Sequence, residues 1–329
     1  MNRPEEDSRT GVDHTESSIE WPAAVKAAVL ADLAEQPWRL YPHPQPEPAR
    51  AELAELLNID PGRIRFTSGA DAAVDDLVRI AARTRSLWLP TPAYPGYLRA
   101  AARHRAAVHH YPAELTAQQV LPRTGTVLAH VIMTWPGNPI GATSPPAPPP
   151  SDTVAWTIDA TYVSVFSAEF AALVSGGTDT YDVIFSCSKV EGLAGVRLGG
   201  TILATPSNDT PADAPGFPLN ALQLATANVL LSPRWRTQIF ARHEQIRKQH
   251  AALTAVLEQL QWAPTHSPAT SFITVQDPIH NLNSADMDTY TSLHAKRFPT
   301  DGLLRITTCQ HNLDALAELS LLTHTPDPG

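Results

Sequence analysis

A chain of 329 residues is long enough to bury a large core and a smaller second unit. Its net charge of −9, with no basic run longer than two residues, argues against a nucleic-acid surface and for small-molecule partners. Two cysteines, Cys187 and Cys309, are too few for a disulfide framework and fit a reducing, cytoplasmic setting.

The polar start "MNRPEEDSRTGVDHTESS" reads as a frayed terminus, neither signal peptide nor anchor, and the longest apolar run, "VLAHVIM", is too short to cross a bilayer. A helix is expected over 22–36, within an N-terminal segment, residues 1–40, that packs on the smaller unit. Prolines cluster in "YPHPQPEP" (41–48) and "TSPPAPPPSD" (143–152), which read as stiff extended connectors. The runs "RIRFT", "SLWLP", "AVHHY", "TVLAHVIM", "TVAWTID", "YDVIFS" and "LGGTILA" are strand-like, and "ADAAVDDLVRIAART" and "GYLRAAARHR" are helix-like. Their alternation predicts an α/β large domain over 41–230 with a mostly parallel sheet. Beyond it come a long helix, "RWRTQIFARHEQIRKQHAALTAVLEQL", the strand "SFITVQ", a helix near "TYTSLHAKRF", the strand "LLRITT" and the helix "NLDALAELSLLTH". These predict a smaller α+β domain over 231–329, with His243 and His250 on the surface of its long helix.

Ligands of open α/β sheets gather at the carboxyl ends of the strands, and the informative residues fall there. Gly69 and Ala70, between Ser68 and Asp71, open a helix whose free amides suit a phosphate dianion or an ordinary cap. Asn138, before Pro139 and Gly141, is a turn residue or an amide aimed at a ligand oxygen. Asp159 ends an apolar strand and is followed by Tyr162; a carboxylate there needs a partner, such as a pyridinium N–H, or else caps the next turn. Lys189 follows Ser186 and Ser188 and precedes Arg197. Desolvation would free its amine to attack a carbonyl while the hydroxyls and guanidinium bind phosphate; the alternative is a surface lysine. Arg305 faces solvent or offers its fork to a carboxylate.

Other signals lack their context. "SCSK" satisfies S-x-x-K, but no S-D-N follows and the "RTG" tripeptides lie upstream. "GLAGVRLGG" is no dinucleotide fingerprint, and the thirteen histidines show no zinc spacing.

In order along the chain, "LYPHPQP", "TSGADAA", "PTPAYPGY", "WPGNPIGA", "TIDATY", "SCSKVEGLAGVRLG" and "LLRITT" resemble the motifs of fold type I pyridoxal-phosphate enzymes. The set is most similar to the histidinol-phosphate aminotransferase branch of class I/II aminotransferases. The resemblance implies a three-layer α/β/α large domain, no metal, and a role for each matching residue. Lys189 condenses with the aldehyde of pyridoxal 5′-phosphate and then acts as base and acid, while Asp159 keeps the pyridine nitrogen protonated. Tyr162 and Asn138 bond the phenolic oxygen, and Tyr94 stacks on the ring. The amides of Gly69 and Ala70, with Ser186, Ser188 and Arg197, form the phosphate cup, and Arg305 holds the substrate carboxylate. Tyr41 reaches the phosphate of a neighbouring subunit, which implies a homodimer with shared sites.

The implied activity is amino transfer from an amino acid or a similar compound. Decarboxylation, elimination, replacement or cyclisation on the same cofactor stays open, as does, at the margin, a non-catalytic binding protein. Departures from the family pattern fall on the substrate side. Ala160 and Thr161 stand where "DEAY" is usual, Gly137 precedes Asn138, no "NENPxG" precedes "IEWPAAV", and Thr308 and Cys309 follow "LLRIT". They speak against histidinol phosphate itself and for a specialised pathway.

Overall fold

Alternation of buried side chains along the strands builds the larger of two sheets in the computed structural model, which describes residues 15–125, 127–141, 144–177, 179–206, 218–265, 271–282, 284–298 and 302–323. The polar first residues, expected to fray, lie outside that range up to residue 14. The first part of the chain forms α1 (Ala23–Glu35), α2 (Glu47–Leu57), β1 (Ile64–Thr67), α3 (Ala70–Ala81), β2 (Ser86–Thr91), α4 (Pro95–His104), β3 (Val108–Pro112) and α5 (Ala117–Val120). The middle adds β4 (Ala129–Thr134), β5 (Val154–Asp159), α6 (Ala168–Gly176), β6 (Tyr181–Ser186), β7 (Gly199–Ile202) and α7 (Ala221–Leu231). The last part holds α8 (Arg236–Gln259), β8 (Phe272–Gln276), α9 (Ser284–Ser292), β9 (Ala295–Phe298), β10 (Leu303–Thr307) and α10 (Gln310–Thr323).

Seven strands lie in the order β1-β7-β6-β5-β4-β2-β3. The pairs β2/β3, β2/β4, β4/β5 and β5/β6 are parallel, and β7 runs antiparallel to both β6 and β1. Every strand but β7 therefore points the same way, and the carboxyl ends of six strands share one edge with the start of β7. Val183 and Phe185 face one apolar cluster with α2, α6 and α7, while Ile184 between them faces another with α3 and α4. Helices thus cover both faces, as a mostly parallel sheet requires. The exposed edge of β1 is closed by Gln45, whose amide receives the Phe66 N–H at 2.7 Å and donates to the Phe66 carbonyl at 3.0 Å.

The second sheet, β8-β10-β9, is antiparallel. Leu304 and Ile306 of β10 pack with Leu253 and Leu257 of α8 and Leu316 of α10, so Arg305 between them points from the opposite face. No helix among the described residues is long and apolar enough to cross a membrane.

Several expectations change. Helix α1 packs chiefly on α7, and Trp21 and Val25 join the main core, so α1 lies with the helices of the large sheet, while Ser17 and Trp21 ahead of it also meet Arg242 of α8. The apolar side of α1 finds a partner in α7, whose residues are buried almost all round. The connector over 41–48 gives way to α2 at Glu47, because Pro48 stands in the first turn, where a helix tolerates it. The helix expected near 289–298 stops at Ser292, and 295–298 pair with β10 as a strand; the open edge of β10 overrides local propensity. His250 is buried and His243 nearly so, contrary to a surface placement. The inward stripe of α8, Ile239, Arg242, Ile246, His250, Leu253 and Leu257, follows helical spacing and includes two polar residues.

Candidate active site

The shared strand-end edge gathers nearly all the candidate residues. Gly69 enters α3 with φ at 88°, and a Cβ there would meet the Arg197 guanidinium at 3.0 Å. A side chain at Gly199 would sit 2.9 Å from the Ala70 amide nitrogen, so β7 opens with glycine for the two turns to pack. The first amides of α3 have no carbonyl one turn earlier. Arg197 donates to the Ser188 hydroxyl at 3.2 Å and lies 3.3 Å from the Asp71 carboxylate. Its own φ is 63°, with its carbonyl taken by the Gln223 amide at 2.5 Å. Ser186 accepts the Ser188 N–H at 3.1 Å. The α3 entry, two serine hydroxyls, the Arg197 guanidinium and the Asp71 carboxylate thus lie close together at the strand ends.

Asp159 ends β5 opposite Thr134 of β4 and Ile184 of β6. One oxygen accepts the buried Tyr97 hydroxyl at 2.5 Å and the other the Thr161 amide at 2.9 Å. Burial pushes its carboxyl above the usual range, opposed by those hydrogen bonds. Asn138 links two neighbours: it donates to the Tyr162 hydroxyl at 2.8 Å and accepts from Arg305 at 2.7 Å. Tyr162 meets Phe272 of β8 edge-on at 4.8 Å, with Arg305 over the same ring at 5.8 Å. Lys189 lies three residues past β6, its amine 5.7 Å from the centre of the Tyr162 ring. Burial, aided by the charges of Arg305 and Arg197, brings that amine down to about 8 against the opposing pull of Glu16 and Asp71.

Tyr94 donates to Asp71 at 2.7 Å and meets Tyr97 edge-on, and its phenol is pushed up to about 12 by burial and by Asp71. Tyr41 differs from the rest in standing 81% exposed, close in sequence to exposed Trp38 and Leu40.

Sequence reasoning missed Tyr97, although it lies three residues past Tyr94 in the quoted "PAYPGY". It missed Asp71 as the partner of both Tyr94 and Arg197. It also missed the N-terminal segment, whose Thr15 hydroxyl bonds Tyr162 and whose Glu16 charge acts on Lys189. No local pattern marks that segment. Among the described residues no cluster of His, Cys, Asp and Glu could hold a metal ion.

A strand-end lysine, an acid at the end of the central strand and a helix entry lie together on the carboxyl edge of the sheet, where α/β folds gather their ligands. The aminotransferase class I and II family model matches residues 12–320; the chain belongs to that family. Histidinol-phosphate aminotransferase of Natronomonas pharaonis is 25% identical over 175 residues, which are 50% of this chain and 49% of that one. Histidinol-phosphate aminotransferase 2 of Caulobacter vibrioides is 24% identical over 270 residues, covering 77% and 70%. The chain spans about half the length of the haloarchaeal relatives it matches.

Among solved structures, histidinol-phosphate aminotransferase from Sinorhizobium meliloti in complex with pyridoxal-5′-phosphate superposes with a TM-score of 0.73 at 20% identity, covering 93% of this chain and 88% of that one. The pyridoxal-phosphate-bound C-S lyase of Staphylococcus hominis gives 0.72 at 14% identity, covering 94% and 89%. L-threonine-O-3-phosphate decarboxylase of Porphyromonas gingivalis gives 0.66 at 19%, covering 94% and 99%. At such identities the likeness is one of fold.

Proposed function

We propose that this chain is a pyridoxal-5′-phosphate-dependent aminotransferase acting on an amino acid or a close analogue. The observation that carries this is Lys189, an amine brought down to about 8 beside Arg305 and Arg197, on the same edge as the Asp159 carboxylate. Each part of the cofactor has a fitting group. The phosphate suits the amides of Gly69 and Ala70, the hydroxyls of Ser186 and Ser188, and Arg197, whose guanidinium occupies the space a Cβ at Gly69 would need. The ring nitrogen suits Asp159, which gains an N–H partner for its buried charge. The phenolic oxygen suits Tyr162 and Asn138, and the ring face suits Tyr94. Exposed Tyr41 suits the phosphate of a second copy, so a homodimer with shared sites is part of the proposal.

When bound, the cofactor supplies an aldehyde for amines and an electron-withdrawing ring that stabilises a carbanion. The chain supplies the rest. The Arg305 fork holds the substrate carboxylate. Neutral Lys189 takes the proton from the substrate α-carbon and returns it. Asp159 keeps the ring nitrogen protonated throughout. Decarboxylation or elimination would draw on the same residues, and the fold neighbours include a decarboxylase and a C-S lyase.

A panel of amino acids added to the cofactor-loaded protein separates these outcomes. Amino transfer converts the bound cofactor to its amine form with one keto acid released per site, seen as a change in near-visible absorbance. Carbon dioxide or ammonia released with the cofactor unchanged would sink transamination in favour of the second reading.

A further inference from the structure

Two sides of the proposed phosphate cup are tied to the start of α7. On one side Ser68, just ahead of Gly69, donates its hydroxyl to the Pro218 carbonyl at 2.6 Å. On the other, the side-chain amide of Gln223, in the first turn of α7, donates to the Arg197 carbonyl at 2.5 Å. Arg197 needs such a tie. Its φ of 63° is a left-handed conformation that a residue with a Cβ seldom holds. Its amide donates to the Leu193 carbonyl at 3.2 Å, and the carbonyl of Leu198 accepts the Cys187 amide at 2.9 Å. The carbonyl between these fixed points is the one Gln223 takes. Relaxing φ to ordinary values would turn that carbonyl away and carry the guanidinium off its place, 3.0 Å from where a Cβ at Gly69 would sit and 3.2 Å from the Ser188 hydroxyl.

Gln223 is itself held. It is 3% exposed, and its side-chain oxygen accepts the Asn220 amide at 2.8 Å while the Asn220 side chain accepts the Gln223 amide at 2.9 Å. With both the oxygen and the nitrogen of its side chain engaged, Gln223 offers Arg197 a rigid anchor.

We infer that Gln223 is a positioning residue for phosphate recognition: by holding the Arg197 backbone in its left-handed turn, it keeps the guanidinium at the entry of α3 beside Ser188. This rests on the proposed function, since the group recognised is the phosphate of that cofactor. A guanidinium already in place loses little freedom on meeting a dianion, whereas a released one must be ordered first. A plain helix cap at this position would affect stability alone.

The test is titration of the cofactor-free full chain with pyridoxal 5′-phosphate and with pyridoxal, which lacks the phosphate, followed by the near-visible band. The wild type should bind the phosphorylated form at least about a hundredfold more tightly. Gln223→Met and Gln223→Leu keep most of the buried bulk and the Asn220 cap but lose the donor, and should lower that ratio about tenfold. Asn220→Ala breaks the other half of the capping box without touching Arg197; it should lower thermal stability and keep the ratio within about twofold of the wild type. An unchanged ratio in both Gln223 variants, or an equal fall in Asn220→Ala, makes Gln223 a cap only and overturns the inference while leaving the cofactor proposal intact. Pyridoxal bound by the wild type as tightly as its phosphate, or no band with either, overturns the functional proposal and this inference with it.

Discussion

The two walls of the pocket are built differently. The proposed cofactor wall comes from successive strand ends of one sheet, and its side chains are already tied within the protein: Asp159 to Tyr97, Tyr162 to Asn138, and Arg197 to Ser188 and Asp71. The proposed substrate wall joins distant parts of the chain, the segment at Thr15–Glu16, whose charge acts on Lys189, and Arg305 on β10. A wall with its hydrogen bonds in place suits a ligand that never changes. A wall assembled from remote segments can vary while the first is kept.

Arg305→Lys keeps the charge beside Lys189 but removes the fork that holds Asn138 and faces the substrate, and should have the largest effect. Loss of the planar fork is expected to weaken substrate carboxylate binding about 10- to 100-fold, while cofactor absorbance stays at the wild-type level. A parallel loss of the cofactor would show the walls to be one unit. The cofactor wall can be tested through pH. Lys189 titrates at about 8 in place of its usual 10.5, so the amine that condenses with the cofactor is scarce below that point. The rate of cofactor capture should rise about tenfold per pH unit up to about 8 and then level off. The unfolded chain holds this proton more tightly, so the stability contribution of Lys189 in the cofactor-free protein should increase as pH rises from about 8 to about 10.5. A capture rate that keeps climbing to pH 10 would mean an ordinary surface lysine. Gly192→Ala should have the smallest effect on chemistry. It forces Arg242 aside and should cost about 1–3 kcal/mol in chemical denaturation, with the cofactor band retained.

What was legible in the sequence follows the same division. Strands such as "TVAWTID" and "YDVIFS" announce themselves as apolar runs, and the residues that end them, Asp159 and Ser186, fall on the shared edge as the topology of an open sheet requires. Helix α7 went unread because it is buried on nearly every side and offers no amphipathic stripe, though the Asn220–Gln223 capping box marks its start. The strand β9 depends on pairing with β10, which local composition does not encode. His243 and His250 were misplaced because a histidine in a polar helix looks solvated until the packing of α8 is known. Burial brings both down to about 4, and His243 lies 3.9 Å from Glu191, whose carboxyl burial raises to about 7. Thr15 and Glu16 lay beyond sequence reasoning altogether, since they reach Tyr162 and Lys189 across more than a hundred residues of chain.

The central claim is that Lys189 holds the cofactor. Borohydride reduction of the cofactor-saturated protein, followed by peptide mass spectrometry, tests it most directly. The expected result is one pyridoxyl group per chain, on Lys189, and none in a folded Lys189→Ala protein. Label spread over surface lysines such as Lys26 and Lys248, or unchanged labelling in the variant, would contradict it.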